Sequence, residues 1–386
     1  MMNFIKNTPY YLLLATFILA STIFFIIIYR EIPTDLQEHI IFLVKSLDKQ
    51  TFPAPPLYYW CIYLFSGFSS DIQTLNYTAV VFLGGGVAAK YWVSYTSTRE
   101  IMRSNNYLLD ETLLAFIVFS MLFTVPIFYN WVYKRMMVGR LPINVWHNST
   151  IILVLPFSIL LYSYSLRYIS HIYNNWRDIA IILVLGILNI LTKPSFLFAF
   201  IPVFPLMVLA QKGWRRDFWL SLLISIVLFG ALLLEYYIIY ILENEDIKGK
   251  TSVIIAPFEV WSYWSTNLPL DILVSILFPI TVTLLFWKEV IQSDYIRYAA
   301  FLFLIAAFVG ATFMETGSRA YHGNFNWQVI ITNYILFLVF SLFAAHKIKL
   351  LGLKNFKSVI MILVYLAHLG SGFIYLLKIL YYKSFH

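Results

Sequence analysis

Long uninterrupted hydrophobic segments alternate with short polar loops along the whole chain. A helix that crosses a bilayer needs about 20 predominantly apolar residues, whereas a membrane β-strand alternates over about ten. The segments have the length and uniform hydrophobicity of helices, so we predict an all-α integral membrane protein with about eleven transmembrane helices. The predicted spans are 9–29, 74–94, 112–131, 151–168, 179–192, 195–211, 218–241, 268–287, 296–314, 327–345 and 358–378.

Charge distribution predicts the orientation of these spans. Segment 56–68 is too short to cross and suits a helix lying in the membrane interface. With that segment in the interface and the N-terminus inside, the basic clusters 212–216 (KGWRR) and 347–357 (KIKLLGLKNFK) both fall on the cytoplasmic side, as the positive-inside rule expects. Lys90 is counted among the cytoplasmic cations. We therefore predict an N-in, C-out protein with nearly all of its charge at span ends.

Composition supports a single membrane domain over residues 1–386. The chain is 61% hydrophobic and only 12% charged, which no water-soluble fold of this length could bury. Its net charge of +8 does not indicate nucleic-acid binding, because in a membrane protein the distribution of charge matters more than its sum. The single cysteine, Cys61, excludes an internal disulfide and a multi-cysteine metal site. Glycines 84–86 in the second span predict close helix packing rather than a nucleotide loop.

The polar chemistry concentrates in the first outer loop, residues 30–73, which follows the first span (9–29) and precedes the remaining spans (74–378). Glu31, Asp35, Glu38 and His39 lie within nine residues there. Pro33 and Thr34 predict a helix that starts at Asp35, with one apolar stripe and its acids off that stripe. A second short interfacial helix is predicted at PPLYYW, residues 55–60, with aromatic rings at headgroup depth.

This arrangement resembles the GT-C superfamily of glycosyltransferases, which use polyprenyl-phosphate-linked sugars. The resemblance lies in an acidic residue just after the first span and in the PPLYYW segment, including Tyr58 and Tyr59, as in the branch of protein O-mannosyltransferases and aminoarabinose transferases. It covers the first 60 residues closely and the rest by topology. It implies a GT-C-like fold with two interfacial helices in the first outer loop. The branch carries adjacent Asp-Glu, whereas this chain has Asp35 and Glu38 three residues apart.

Sugar transfer from a lipid phosphate needs a carboxylate to accept the acceptor's proton, and cationic or hydrogen-bonding groups for the departing phosphate. Asp35 is the predicted base, with Glu38 and then Glu31 as alternatives, and His39 steers a carboxylate or helps bind phosphate. The alternative is that these acidic residues have no catalytic role and only form a solvated loop face with a helix N-cap. Other outer segments supply further candidates for binding phosphate or acceptor: Lys193 in LTKPSF, Arg319 and His322 in GSRAYHGNFNW, and Trp146, His147 and Asn148 in NVWHNST. Ordinary polar connectors and interfacial tryptophans are the alternatives there.

The sequence therefore predicts a multi-pass glycosyltransferase of a bacterial cytoplasmic membrane, with its active site on the outer face and inversion at the anomeric carbon. Its partners would be a polyprenyl-phosphate-linked sugar donor, a glycan, lipid or protein acceptor and membrane lipid, but no nucleic acid. The sequence specifies no cofactor; Asp35 and Glu38 are close enough to share a divalent metal, although two carboxylates are too few for an all-protein cage. The alternatives are an O-antigen-like polysaccharide polymerase and a non-enzymatic lipid-carrier flippase or transporter, which would bury charged residues in mid-span.

Overall fold

The structure is a computed structural model that describes residues 2–129, 139–170, 176–239, 252–317 and 320–382. Nearly all regular elements within these ranges are helical, and the one sheet described is a short antiparallel pair, β1 (Val253–Ile255) and β2 (Phe313–Glu315). The helices are α1 (Met2–Tyr29), α2 (Asp35–Asp48), α3 (Leu57–Phe65), α4 (Ile72–Ser104), α5 (Glu111–Met121), α6 (Ser149–Ser170), α7 (Trp176–Thr192), α8 (Leu197–Lys212), α9 (Arg216–Tyr237), α10 (Glu259–Trp264), α11 (Leu268–Ser275), α12 (Leu277–Leu285), α13 (Trp287–Gln292), α14 (Asp294–Thr312), α15 (Trp327–Leu351) and α16 (Phe356–Tyr382).

The predicted all-α membrane architecture is confirmed. Within the described ranges, eight helices are long and apolar enough to cross a bilayer, or nine if the bent pair α11 and α12, which meet at 66°, forms one span. The count of eleven stays a prediction, because α7 has 17 residues and α5 only 11. The helix in the predicted span 112–131 ends at Met121, and the Val125 and Ile127 backbone N–H groups beyond it donate to carbonyls of α16 and α11 instead of their own segment.

The helices define two ends of the bundle. α1 and α4 run antiparallel: the Tyr91 hydroxyl donates to the Pro9 carbonyl at 3.2 Å, and Phe25 stacks on Tyr77. The C-terminus of α1 and the N-terminus of α4 therefore lie together, and Arg30 after α1 donates to the carbonyl of Leu380 in α16. The contacts described below place the starts of α6, α8 and α15 at this end as well. We call this end of the bundle the Asp35 end.

The opposite end, called the basic end, carries the cationic ends of α4, α6, α8 and α15. Arg99 and Arg103 both pair with Glu111, at 2.8 and 2.7 Å, and Arg167 pairs with Glu100 at 2.6 Å. The predicted clusters 212–216 and 347–357 also lie here, because each follows a helix that starts at the Asp35 end. The structure thus separates the polar first loop from the basic loops; which end faces the cytoplasm stays a prediction.

Among the described residues, three charged side chains lie in the interior, which corrects the prediction that Lys90 belongs to a cytoplasmic surface. Lys90 is only 5% exposed, near the middle of α4, where its ammonium donates to Asn144 Oδ1 and lies 3.9 Å from the centre of the Tyr334 ring. Arg140 and Asp271, 8% and 5% exposed, form a buried ion pair at 3.0 Å. Sequence position alone misplaced Lys90, because polar groups from a distant loop, including Asn144, reach it inside the bundle.

Close helix packing at the glycines in α4 is confirmed for Gly84. A Cβ at Gly84 would lie 2.0 Å from Ser21 Oγ of α1, so only glycine fits there without a shift. Residues 84–86 are helical throughout, as expected of a packing point rather than a nucleotide loop.

Candidate functional site

The first loop, residues 30–73, folds into the two short helices predicted from the sequence. The chain leaves α1 through Glu31, whose positive φ of 52° makes the turn, and Thr34 in extended conformation precedes α2. α2 begins at Asp35 and packs against α4 and α6. Of the predicted stripe Leu36, Ile40, Leu43, Val44 and Leu47, the first three are buried and the last two are half-buried. Asp35 therefore stands at the first turn of α2, where the backbone N–H groups favour a carboxylate.

Asp35 is half-buried and is held by the start of another helix. The Asn148 side-chain amide donates to Asp35 Oδ2 across 113 residues of sequence. Asn148 is itself fixed, because its Oδ1 accepts from the Ile151 backbone N–H at 2.9 Å and from the Thr150 hydroxyl at 3.0 Å. The residue that caps α6 thus also orients the carboxylate.

Lys193 brings a positive charge to the same place. It lies in extended conformation between α7 and a 3₁₀ turn, Pro194–Phe196, that leads into α8. Its ammonium donates to the Thr150 hydroxyl at 3.2 Å and lies 4.8 Å from the centre of the Trp327 ring, at the start of α15. Asp35 and Lys193 also interact electrostatically. Asp35, Asn148, Thr150, Lys193 and Trp327 therefore form one cluster, which we call the Asp35 cluster.

His39 lies one turn along α2 from Asp35 and faces α3. Its Nδ1 is 2.6 Å from the Tyr59 hydroxyl, and its ring packs against both Tyr58 and Tyr59 with centroids 5.5 Å apart. Burial, and then the Lys193 charge, lower the pKa of His39 to about 4. Burial also raises the pKa of Tyr59, so the phenol keeps its proton and can donate to the neutral imidazole.

Buried hydroxyl groups lie beside the cluster. The Tyr58 phenol interacts with Ser149, which follows Asn148 in the chain. Thr34 Oγ1, next to Asp35, is buried and has no hydrogen-bond partner among the described residues. Buried hydroxyls are normally satisfied, so a polar ligand beside Asp35 could complete the hydrogen bonding of Thr34.

The other predicted residues take different positions. Glu31 and Glu38 are exposed. Trp146 is buried between Phe24 and Phe123, with centroids 6.0 and 6.4 Å away, so its ring is part of the core. The neighbouring His147 is half-buried and its ring lies 6.2 Å from that of Trp327 between centroids, so it borders the Asp35 cluster.

The loop after β2 contributes no described contact to the Asp35 cluster. His322 is exposed, and its neighbour Tyr321 stacks on Tyr263 at 4.0 Å. Arg319 lies outside the described residues. Substrate binding by His322 and Arg319 stays a prediction.

Two members of the cluster were not predicted from the sequence. Thr150 and Trp327 begin apolar spans and resemble ordinary interfacial residues. No group of three or more His, Cys, Asp or Glu suited to a metal ion occurs among the residues described, so Asp35 and Glu38 gain no third ligand of these types there.

No protein-family model, no curated protein and no solved structure matches this chain.

Proposed function

We propose that the protein is a membrane glycosyltransferase that moves a sugar from a polyprenyl-phosphate carrier to a hydroxyl of a glycan, lipid or protein acceptor. The observation that supports this most is the Asp35 cluster, in which a fixed carboxylate and a lysine meet at the end of the bundle. The reaction requires these two charges: an anion to accept a proton and a cation to receive a phosphate.

In the proposed reaction, Asp35 accepts the proton of the acceptor hydroxyl while the oxygen attacks the anomeric carbon. The new carbon–oxygen bond forms as the bond between that carbon and the phosphate oxygen breaks, and the lipid phosphate leaves with the bonding electrons. Lys193 stabilises the charge on this phosphate. Direct displacement of this kind inverts the anomeric configuration.

Position distinguishes Asp35 from the other two predicted bases. Glu31 and Glu38 are exposed, whereas Asp35 is half-buried and held by Asn148. A base must be held within hydrogen-bonding reach of its proton, so a fixed and partly desolvated carboxylate suits the role better than a solvated one.

Asp35→Asn tests the proposal. In a transfer assay with the purified protein and a panel of polyprenyl-phosphate sugars, we expect turnover to fall about 10²- to 10⁴-fold, the usual contribution of a general base. Asp48→Asn, the same substitution at the exposed end of α2, is the matched control and should keep wild-type turnover. Glu38→Gln compares the two candidate bases. Wild-type turnover in Asp35→Asn, with a large loss in Glu38→Gln, would transfer the role to Glu38; full activity in both would refute the proposed base.

A lipid-carrier transporter is the second candidate, and buried Lys90 is the observation that favours it. Charges within membrane helices are costly and mark transport pathways. Lys90→Met separates the two functions: loss of carrier flipping in proteoliposomes with sugar transfer retained would favour transport. Loss of transfer in Asp35→Asn with unchanged flipping would favour the transferase.

A further inference from the structure

A pocket of about 430 Å³ opens at the basic end, formed by the junction of α12 and α13 and by the connection from α15 to α16. It lies far from the Asp35 cluster, because Lys347 follows Trp327 by 20 residues along α15, roughly 30 Å at the rise of an α-helix. Its walls combine lysines, aromatic rings and leucines: Leu284, Leu285, Phe286, Trp287, Lys288, Glu289, Lys347, Leu350, Leu351 and Lys357.

Two half-buried lysines converge on one aromatic ring in this pocket. The ammonium groups of Lys347 and Lys357 lie 5.4 and 4.9 Å from the centre of Phe286. Lys357 also donates to the Leu285 carbonyl at 3.3 Å, at the end of α12. Like charges gathered at one place repel each other, so the site favours an anion that can lie between them.

The pocket provides little negative charge of its own. Glu289, whose carboxylate is 3.6 Å from Lys347, is the one acidic residue among its described lining residues, against three lysines. Lys288 is the third lysine and is exposed. A net positive lining at the membrane surface suits an anionic headgroup.

The rest of the lining is apolar, and four of its side chains are exposed whereas Phe286 is buried. Leu284 is 78% exposed and Trp287 59% exposed, and Leu350 and Leu351 are exposed on the last turn of α15. At this position, around the side of a membrane bundle, such side chains suit contact with acyl chains and headgroups. A water-soluble anion would make no use of them.

We propose that this pocket binds an anionic phospholipid, with the phosphodiester between Lys347 and Lys357 and the acyl chains along Leu284 and the end of α15. Phe286 holds the two lysine side chains in place, and Trp287 lies at headgroup depth. The proposal does not depend on the function of the Asp35 cluster.

The four lysines of segment 347–357 allow a matched test. Lys347→Gln/Lys357→Gln removes the two pocket lysines, and Lys349→Gln/Lys354→Gln removes two exposed lysines from the same segment, with the same change in net charge. The full-length protein is placed in nanodiscs of phosphatidylcholine with or without phosphatidylglycerol, and retention of each lipid is measured by native mass spectrometry. We expect the pocket variant to lose about 10- to 30-fold in preference for phosphatidylglycerol, and the control to lose about 2-fold at most.

If both double variants lose the preference for phosphatidylglycerol equally, the preference comes from general surface charge and the proposal is overturned. Inorganic phosphate, added against chloride at equal ionic strength, distinguishes the source of the anion: displacement of the lipid would assign the site to a soluble anion instead. Lys347→Arg/Lys357→Arg keeps both charges and should retain the preference. If the glutamine variant does not fold, loss of preference in the folded arginine variant would contradict the proposal, and retention would support it.

Discussion

His39 is a neutral histidine beside a carboxylate and a lysine. Its imidazole is bonded to Tyr59 and packed between two tyrosine rings, so protonation would place a second cation near Lys193. The neutral imidazole connects α2 to α3 through Tyr59. Steering of a carboxylate and help in phosphate binding by His39 both stay predictions.

We predict that His39 makes the folded protein less stable in mild acid. The pKa of His39 is about 4 in the folded state and 6.5 in the unfolded chain. Between these values the unfolded chain binds a proton at His39 and the folded protein does not. The stability it contributes is present above pH 6.5 and is lost as the pH falls toward 4. The melting temperature in detergent should therefore fall more between about pH 7.5 and about pH 5 in the wild type than in His39→Gln.

His322→Gln, at an exposed histidine, is the control for this comparison and should follow the wild type. A parallel decline of the wild type and His39→Gln would contradict the assigned burial of His39.

For individual residues, the sequence indicates which side chains could act in binding or catalysis, but not which of them lie in contact with each other. The acids after the first span and the lysine between two spans were identifiable as costly groups at a membrane. The bond from Asn148 to Asp35 joins residues 113 apart, and the position of Lys193 on Trp327 depends on how α8 and α15 pack. One sequence carries no record of such helix contacts.

Helices α2 and α3 lie where the sequence pattern predicts them, whereas α5 is shorter than the span that hydropathy predicts. The apolar stripe and the Pro-Thr start place α2 within the residues predicted for it. Hydropathy predicted a full span over 112–131, but the helix ends at Met121 and the chain continues irregularly against α16. Hydropathy gives the length of an apolar segment. It does not show whether the backbone groups of that segment form hydrogen bonds within one helix or with a neighbouring helix.

Gly372 of α16 lies in close contact with the backbone of this irregular segment. A Cβ at Gly372 would lie 1.4 Å from the Phe123 carbonyl oxygen, whereas a Cβ at Gly370 would meet nothing within 4 Å. We predict that Gly372→Ala destabilises the protein by about 1–3 kcal/mol, as overpacking does, and that Gly370→Ala is neutral or slightly stabilising. Thermal unfolding in detergent compares them, and equal melting temperatures for the two variants would show that the segment does not touch α16 there.

At the scale of the whole molecule, charge divides the bundle into two ends. α4 has 33 residues and so is about 50 Å long, more than the roughly 30 Å of a bilayer core. Its N-terminus lies at the Asp35 end and its C-terminus, with Arg99 and Arg103, at the basic end. The separation of the two ends was predicted from loop charges, whereas interior groups such as Lys90 were not.

We predict that the two ends of α4 lie on opposite sides of the membrane, with the Asp35 end outside. Ser70→Cys and Ser104→Cys, both exposed and conservative, flank this helix in a Cys61→Ser background. A membrane-impermeant maleimide should label Ser70→Cys in intact cells and Ser104→Cys only after permeabilisation. Labelling of both from one side would contradict the crossing, and the reverse pattern would invert the orientation.

The backbone of the irregular segment after α5 forms hydrogen bonds with α16, which is synthesised much later. Val125 N–H donates to the His368 carbonyl at 3.4 Å, the His368 ring bonds back to the Val125 carbonyl at 2.7 Å, and Phe128 N–H donates to Ser371 Oγ at 2.9 Å, each across 243 residues. Until the ribosome has delivered α16, these backbone groups have no such partners in lipid. We therefore expect truncated chains that end before α16 to be degraded in the membrane faster than the full-length protein, which pulse-chase labelling would measure.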